Sequence, residues 1–432
     1  MAARRDPLPF GFNVYGYLTS NLGLGVAGRN TVAMLIGAGQ DLRLEDVNPG
    51  GGMQGRDKTF TDAISKTRDA GPYSVNLFHI NPDQIQYLFR PPWSRVRISD
   101  TIQVCVPFWE LPRLPSCWIP PLEAMDLILA PTKYVQDAIR ADLPDANIIH
   151  FPQSVRLPDG IDPDRQAFGL PEGATIFVMS FDMRSDLERK NPIGVIDAFE
   201  RAFPAGRNDV RLVVKINNAG TASGHEPHML RLRQAAGDPR VLLIDRPLSY
   251  REVLSLYASC DALISLHRAE GLGLSMLEAM TLGLPVVATA FSGNMDFMTA
   301  DDSCLVGFDL APVVATTQPA YAAENAGAQM WAEPRLDEAA QWMVRLANDP
   351  AWRRDLGSRA RIAAAAASER SRPDALIAET RRLGDSRSGD TSDAQRRLRS
   401  IARGFILRTI RRKASGAIRR IRKTLASQPI LP

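Results

Sequence analysis

Cysteine and histidine are scarce in this chain, at four and five of 432 residues. The four thiols, Cys105, Cys117, Cys260 and Cys304, show neither C-x-x-C spacing nor a disulfide framework. That excludes a paired-thiolate zinc site and a stapled secreted scaffold, and the thiols read as reduced, mostly buried residues of a cytoplasmic protein. No apolar run reaches the roughly 18 residues of a membrane-spanning helix. The opening MAARRDPLPF has no apolar signal-peptide core. Asp162-Pro163-Asp164 has the Asp-x-Asp form of a metal site. In a Pro-rich linker it reads as turn chemistry, so no metal is expected.

Acidic residues are missing from one region only. None occurs after Asp393, while twelve Lys and Arg lie between Arg396 and Lys423. The remainder carries 40 basic against 48 acidic residues, a net charge of −8, although the whole chain has +4. An anionic partner is therefore expected for the tail alone. On a helical period Ile410, Ala414, Ala417, Ile418, Ile421 and Leu425 form one stripe. Arg411, Arg412, Lys413, Arg419, Arg420, Arg422 and Lys423 face away from it. A basic amphipathic helix over residues 396–425 suits an anionic membrane surface, on the inner face of the plasma membrane for a cytoplasmic protein. Nucleic acid is not expected, because Phe405 is the tail's lone aromatic and offers no stacking platform.

What the chain does have is length and alternation. A chain of 432 residues exceeds one ordinary core, which gives two domains. Residues 12–18, 75–79, 103–106 and 127–130 read as buried strands with helices between them, the pattern of a doubly wound parallel sheet. The loop TSNLGLGVAGR after the first strand places Gly23 and Gly25 where a ligand could approach, with Arg29 nearby. A tight strand-to-helix turn explains the same glycines. His79 and Glu110 each stand just past a strand end, so both could reach one cleft from the first domain. Residues 152–173, rich in Pro, Asp and Gly, form the linker.

The second domain opens with a strand at 175–180 and the loop FDMRSDLERKNP. Lys190, six residues after Arg184, stands at the start of a helix, and a basic pair there could neutralise two phosphates. Arg189 reads as a bystander. The string ALISLHRAEGLGLSMLEAMTLGLPVVATAFSGNMDFM at 262–298 is a βαβ unit whose glycine loop lies at the carboxyl end of a strand, where open parallel sheets place ligands. Gly271 and Gly273 leave room beside the backbone, and the helix's first N–H groups suit an anion such as a diphosphate. Glu270 and Glu278 would repel that anion unless they faced its sugar and ribose hydroxyls.

EGLGLSMLEAMTLGLPVVAT resembles the donor-site signature of retaining GT-B glycosyltransferases of family 4, two glutamates separated by seven residues. SLHRAEG, SGNMDFM and FWELPRLPSCW resemble a bacterial branch of that family. The resemblance covers residues 11–383 and implies two facing Rossmann-like domains with an interdomain cleft. It assigns the donor sugar to Glu270, the ribose to Glu278, and the diphosphate to Gly271, Leu272, Gly273 and Leu274 with Lys190 and Arg184. Leu272 stands where the family often has Phe. The loop of Gly23 and Gly25 would lie under the diphosphate, with Glu110 and His79 on the acceptor side. The domains expected are residues 1–160 for the acceptor, 161–383 for the nucleotide-sugar donor with terminal helices crossing back, and 384–432 as polar linker and basic tail. The expected reaction moves a hexose-type sugar from a nucleoside diphosphate to a hydroxyl of a glycan or lipid-linked glycan, with retention and without a cofactor. A nucleotide-sugar epimerase is the alternative on this fold. A non-catalytic membrane-attached scaffold is the rival from another class, against which the joint presence of Glu270, Glu278 and Lys190 speaks.

Overall fold

The computed structural model describes residues 7–47, 57–65, 71–89, 96–218, 226–313, 321, 329–386 and 396–401. Six parallel strands make the first sheet, in the order β2-β1-β3-β4-β5-β6. They are β1 (Phe12–Gly16), β2 (Leu42–Asp46), β3 (Val75–His79), β4 (Ile102–Cys105), β5 (Leu127–Ala130) and β6 (Ile148–His150). Every residue of β1, β3, β4 and β5 is buried, as apolar strands covered by helices require. The strand order reverses between β1 and β3, which pair in parallel from Phe12↔Val75 to Gly16↔His79. That switch point is where a doubly wound sheet opens a crevice.

The second sheet repeats the plan in the order β12-β11-β10-β7-β8-β9. Its strands are β7 (Thr175–Asp182), β8 (Val210–Asn217), β9 (Val241–Ile244), β10 (Ala262–Ser265), β11 (Val286–Thr289) and β12 (Cys304–Val306). Here the order reverses between β7 and β10. The loops after these strands are the ones that carry Arg184 to Lys190 and His267 to Gly273. An antiparallel hairpin, β13 (Phe308–Pro312) with β14 (Met330–Pro334), is added outside the sheet. This is the two-sheet α/β architecture expected from the alternation of elements.

Local chemistry fixes the helix starts that matter. Thr132 caps helix Lys133–Asp142 by accepting from the Val135 amide at 3.2 Å. Asp186 caps the short helix Leu187–Lys190 through the Arg189 amide at 2.9 Å. Asn191 then turns the chain with φ 50° and caps helix Pro192–Ala202, accepting from Gly194 at 3.1 Å. Asn tolerates this left-handed conformation better than most residues do. One turn thus ends the Lys190 helix and begins the next.

The closing helices tie the domains together. Helix Pro350–Arg370 packs its Ala360 and Ala364 in the second domain's core. Ser371 then donates to the Pro152 carbonyl at 2.6 Å. Helix Asp374–Asp385 carries Leu376, 0% exposed, into the core of the first sheet. Beyond it, Leu398 is buried and Ile401 half-buried in a first-domain cluster with Trp118 and Leu122. Arg397 pairs with Glu123 at 3.3 Å. Residues 402–432, with most of the basic tail, lie outside the described residues.

Candidate active site

Between the two sheets lies a cleft of about 540 Å³. The first domain lines it with Asn21 to Leu24, Asp83, Gln84 and Phe108 to Glu110. From the second come the β7 loop, the loop of Glu270 and the start of helix Leu274–Leu282. No side chain caps that helix, and Gly273 enters it at φ 89°, a conformation glycine adopts without strain. The Met276 amide donates to the Gly273 carbonyl at 3.0 Å, which leaves the Leu274 and Ser275 amides for an anion in the cleft.

Glu270 lines the cleft from the second domain and is 8% exposed. Its Oε1 is paired with the Lys190 ammonium, and its Oε2 lies 3.1 Å from Arg189 Nη1. Burial would raise this carboxyl, but Lys190 and Arg189 outweigh burial and hold it at about 2. The backbone below is fixed as well. The Glu270 amide donates to Ser292 Oγ at 2.8 Å, and its carbonyl accepts from Gly293 at 2.8 Å. His267 supports the same loop, with Nδ1 3.1 Å from Ser265 Oγ and Nε2 3.1 Å from Asn294 Oδ1.

Glu278 is reached differently. It is buried one turn into the helix, and no cation pairs with it closely. Burial pushes its carboxyl up to about 8, opposed by the neighbouring Tyr250 hydroxyl and by Arg29. Arg29 crosses from the first domain, with its guanidinium 5.9 Å from the Tyr250 ring centroid. It is anchored by donating to the Ser20 carbonyl at 2.7 Å and by Asp57 at 3.4 Å. A neutral carboxyl at pH 7, ready to meet hydroxyls, thus shares a cleft with a fully ionised one.

The structure brings Lys190, Arg184, Glu110, Glu270, Glu278, Gly23 and residues 271–274 into this one cleft. Two other residues named from sequence do not line it. Gly25 packs so tightly that an added Cβ would stand 2.4 Å from the Ser20 carbonyl oxygen, so it serves the strand-to-helix turn. His79 is 0% exposed at the end of β3, with Nε2 3.2 Å from Thr31 Oγ1. Burial lowers its pKa to about 4, so it is a neutral core imidazole. Glu110 lines the cleft with both oxygens engaged. Its Oε1 is 3.4 Å from Arg189 Nη2, and its Oε2 accepts from the Tyr321 hydroxyl at 2.7 Å.

Sequence reasoning passed over Arg189, Tyr250 and Tyr321. Arg189, read as a bystander, is 5% exposed and reaches carboxylates of both domains. Spacing gave no way to tell which of two adjacent cations points inward. Asp186, the Leu187–Lys190 helix cap, was the available signal, because it sets how that turn is oriented.

Comparison with known proteins agrees with this geometry. Residues 161–309 match the family model described as Glycosyl transferases group 1. A search of curated proteins gives no match. Among solved structures, a glycosyltransferase from Rickettsia africae is similar with TM-score 0.56 at 11% identity, over 87% of this chain and 98% of that one. HepE from Anabaena, solved with UDP and glucose, gives TM-score 0.52 at 14% identity, over 88% and 100%. A TarM mutant from S. aureus, solved with fondaparinux, alpha-GlcNAc-glycerol and UDP, gives TM-score 0.50 at 14% identity over 72% of this chain. The chain spans 55% of the TarM chain. The fold is GT-B, two parallel-sheet α/β domains facing across a cleft.

Proposed function

We propose that this protein transfers a hexose-type sugar from a nucleoside diphosphate to a hydroxyl of a glycan or lipid-linked glycan, with retention of configuration. The observation that carries this reading is the convergence of Lys190, Arg184, the uncapped helix start at Leu274 and the ionised Glu270 on one wall of the cleft. UDP in the TarM and HepE complexes supports it by analogy of fold. Glu278 receives the ribose and Glu270 the sugar hydroxyls. Lys190, Arg184 and the helix amides hold the diphosphate as the sugar–phosphate bond breaks and negative charge grows on its oxygens. Glu110 is engaged at both oxygens, so the departing phosphate oxygen takes the acceptor's proton. Attack on the face it leaves gives retention.

Stabilisation by fixed side chains and amides makes the reaction independent of metal. The test is turnover of nucleotide sugars with saccharide acceptors, with and without EDTA. Transfer that persists in EDTA is expected. Transfer lost in EDTA and restored by magnesium or manganese would contradict the mechanism, and sugar epimerised without any acceptor would replace transfer as the activity.

A further inference from the structure

Arg189 is the side chain that the two domains share. Its Nη1 donates to the Ala269 carbonyl at 2.8 Å and lies 3.1 Å from Glu270, while Nη2 faces Glu110 of the first domain at 3.4 Å. Burial would lower the pKa of this guanidinium, but Glu110 and Glu270 keep it protonated. Glu270 therefore has two cationic partners of different kinds. Both line the cleft, but the Arg189 side chain is 5% exposed and held by the Ala269 carbonyl and Glu110, whereas the Lys190 side chain is 22% exposed. A diphosphate entering the cleft can draw Lys190 away, but Arg189 cannot follow.

When Lys190 leaves, Glu270 becomes a buried carboxylate that still needs a counter-charge, since an unpaired buried charge costs several kcal/mol. We propose that Arg189 is a positioning residue that retains Glu270 when Lys190 is released to the diphosphate, and that Glu110 of the first domain holds Arg189 in place for this. The assignment rests on the donor reading given above. Without Arg189, Lys190 is the sole close counter-ion of Glu270, and each bound diphosphate strands a buried charge. The carboxylate and the diphosphate then compete for one ammonium.

That competition gives a signature no merely structural arginine produces. UDP, ADP and GDP are titrated calorimetrically into the full chain, and the nucleotide that wild type binds is carried forward. Arg189→Gln is expected to weaken its binding at least about tenfold, the effect of one lost charge-assisted contact. Adding Glu270→Gln to that variant removes the competitor and is expected to restore affinity to near that of Glu270→Gln alone. Unchanged affinity in Arg189→Gln, or no recovery in the double variant, overturns the proposal. Glu270→Gln alone serves even where Arg189→Gln fails to fold. It should bind the sugar-free nucleotide at least as tightly as wild type, and weaker binding overturns the proposal too. A wild type that binds none of the three nucleotides counts against the donor reading itself.

Discussion

Glu278 and Glu270 are both buried glutamates of one short unit, yet their carboxyls sit at about 8 and about 2. Burial acts on both, and the difference is the cation pair that Glu270 has and Glu278 lacks. Between the ordinary glutamate value of 4.5 and about 8, the folded chain keeps a proton on Glu278 that the unfolded chain has lost. Its contribution to stability is present below that window and disappears as pH rises through it. Glu278→Gln does not titrate, so its melting temperature relative to wild type should climb from pH 5 to pH 8. A difference independent of pH would show that the carboxyl is not held neutral. Glu278→Ala should also weaken nucleoside diphosphate binding, because each hydrogen bond between the neutral carboxyl and a ribose hydroxyl contributes roughly 0.5–1.5 kcal/mol. Lys190→Ala should lower turnover more than donor affinity, since charge on the diphosphate grows only as the bond breaks. Steady-state kinetics with a kcat loss no larger than the change in KM would count against that role.

At the scale of elements, the alternation of apolar strands and helices was legible because buried parallel strands must be continuously apolar. The Glu270 loop was legible for a related reason: glycine punctuation marks where a strand end opens to a ligand. What lay beyond the sequence was side-chain direction. Gly23 and Gly25 are two residues apart, yet one faces the cleft and the other fills a turn. His79 and Glu110 both follow strands, but His79 turns under helix Gly23–Gly37 toward Thr31 while Glu110 meets Arg189. Gly25 is fixed by the carbonyls of Tyr17 and Ser20 and His79 by Thr31, all within the first domain, while Glu110 is fixed by Arg189 of the second, and no local pattern encodes these partners. The same interface makes a test of the glycine loop. A Cβ on Gly271 would stand 2.7 Å from the Trp109 carbonyl oxygen across the cleft, whereas one on Gly23 would come no nearer than 3.9 Å, to Leu274. Gly271→Ala should therefore hold the domains apart and sharply reduce activity, with circular dichroism unchanged. Gly23→Ala should retain most of it. Equal activities would mean that the cleft does not need this close approach.

For the whole molecule, no described helix is long and apolar enough to cross a membrane; the attachment proposed is electrostatic, through the basic tail. Each Lys or Arg near an anionic bilayer contributes about 1 kcal/mol, decaying within a Debye length of roughly 8 Å. The full chain should sediment with anionic vesicles at low salt, be released at high salt, and ignore neutral vesicles. Because Leu398 is 0% exposed in the first domain's core, the informative truncation ends at Ile401, which removes nine of the twelve tail cations. That chain should stay in the supernatant and keep transferring sugar to a water-soluble acceptor. Sedimentation equal to the full chain would take the attachment away from residues 402–432.

The seat of Leu398 and the Arg397–Glu123 pair also decides which half of the protein would be moored. They fasten the root of the tail to the half that carries Trp109 and Glu110, so on a membrane that half would be berthed against the lipid. The half with Glu270 and Glu278 would hang toward the aqueous side. It would load its soluble nucleotide there and swing down onto an acceptor that never has to leave the surface.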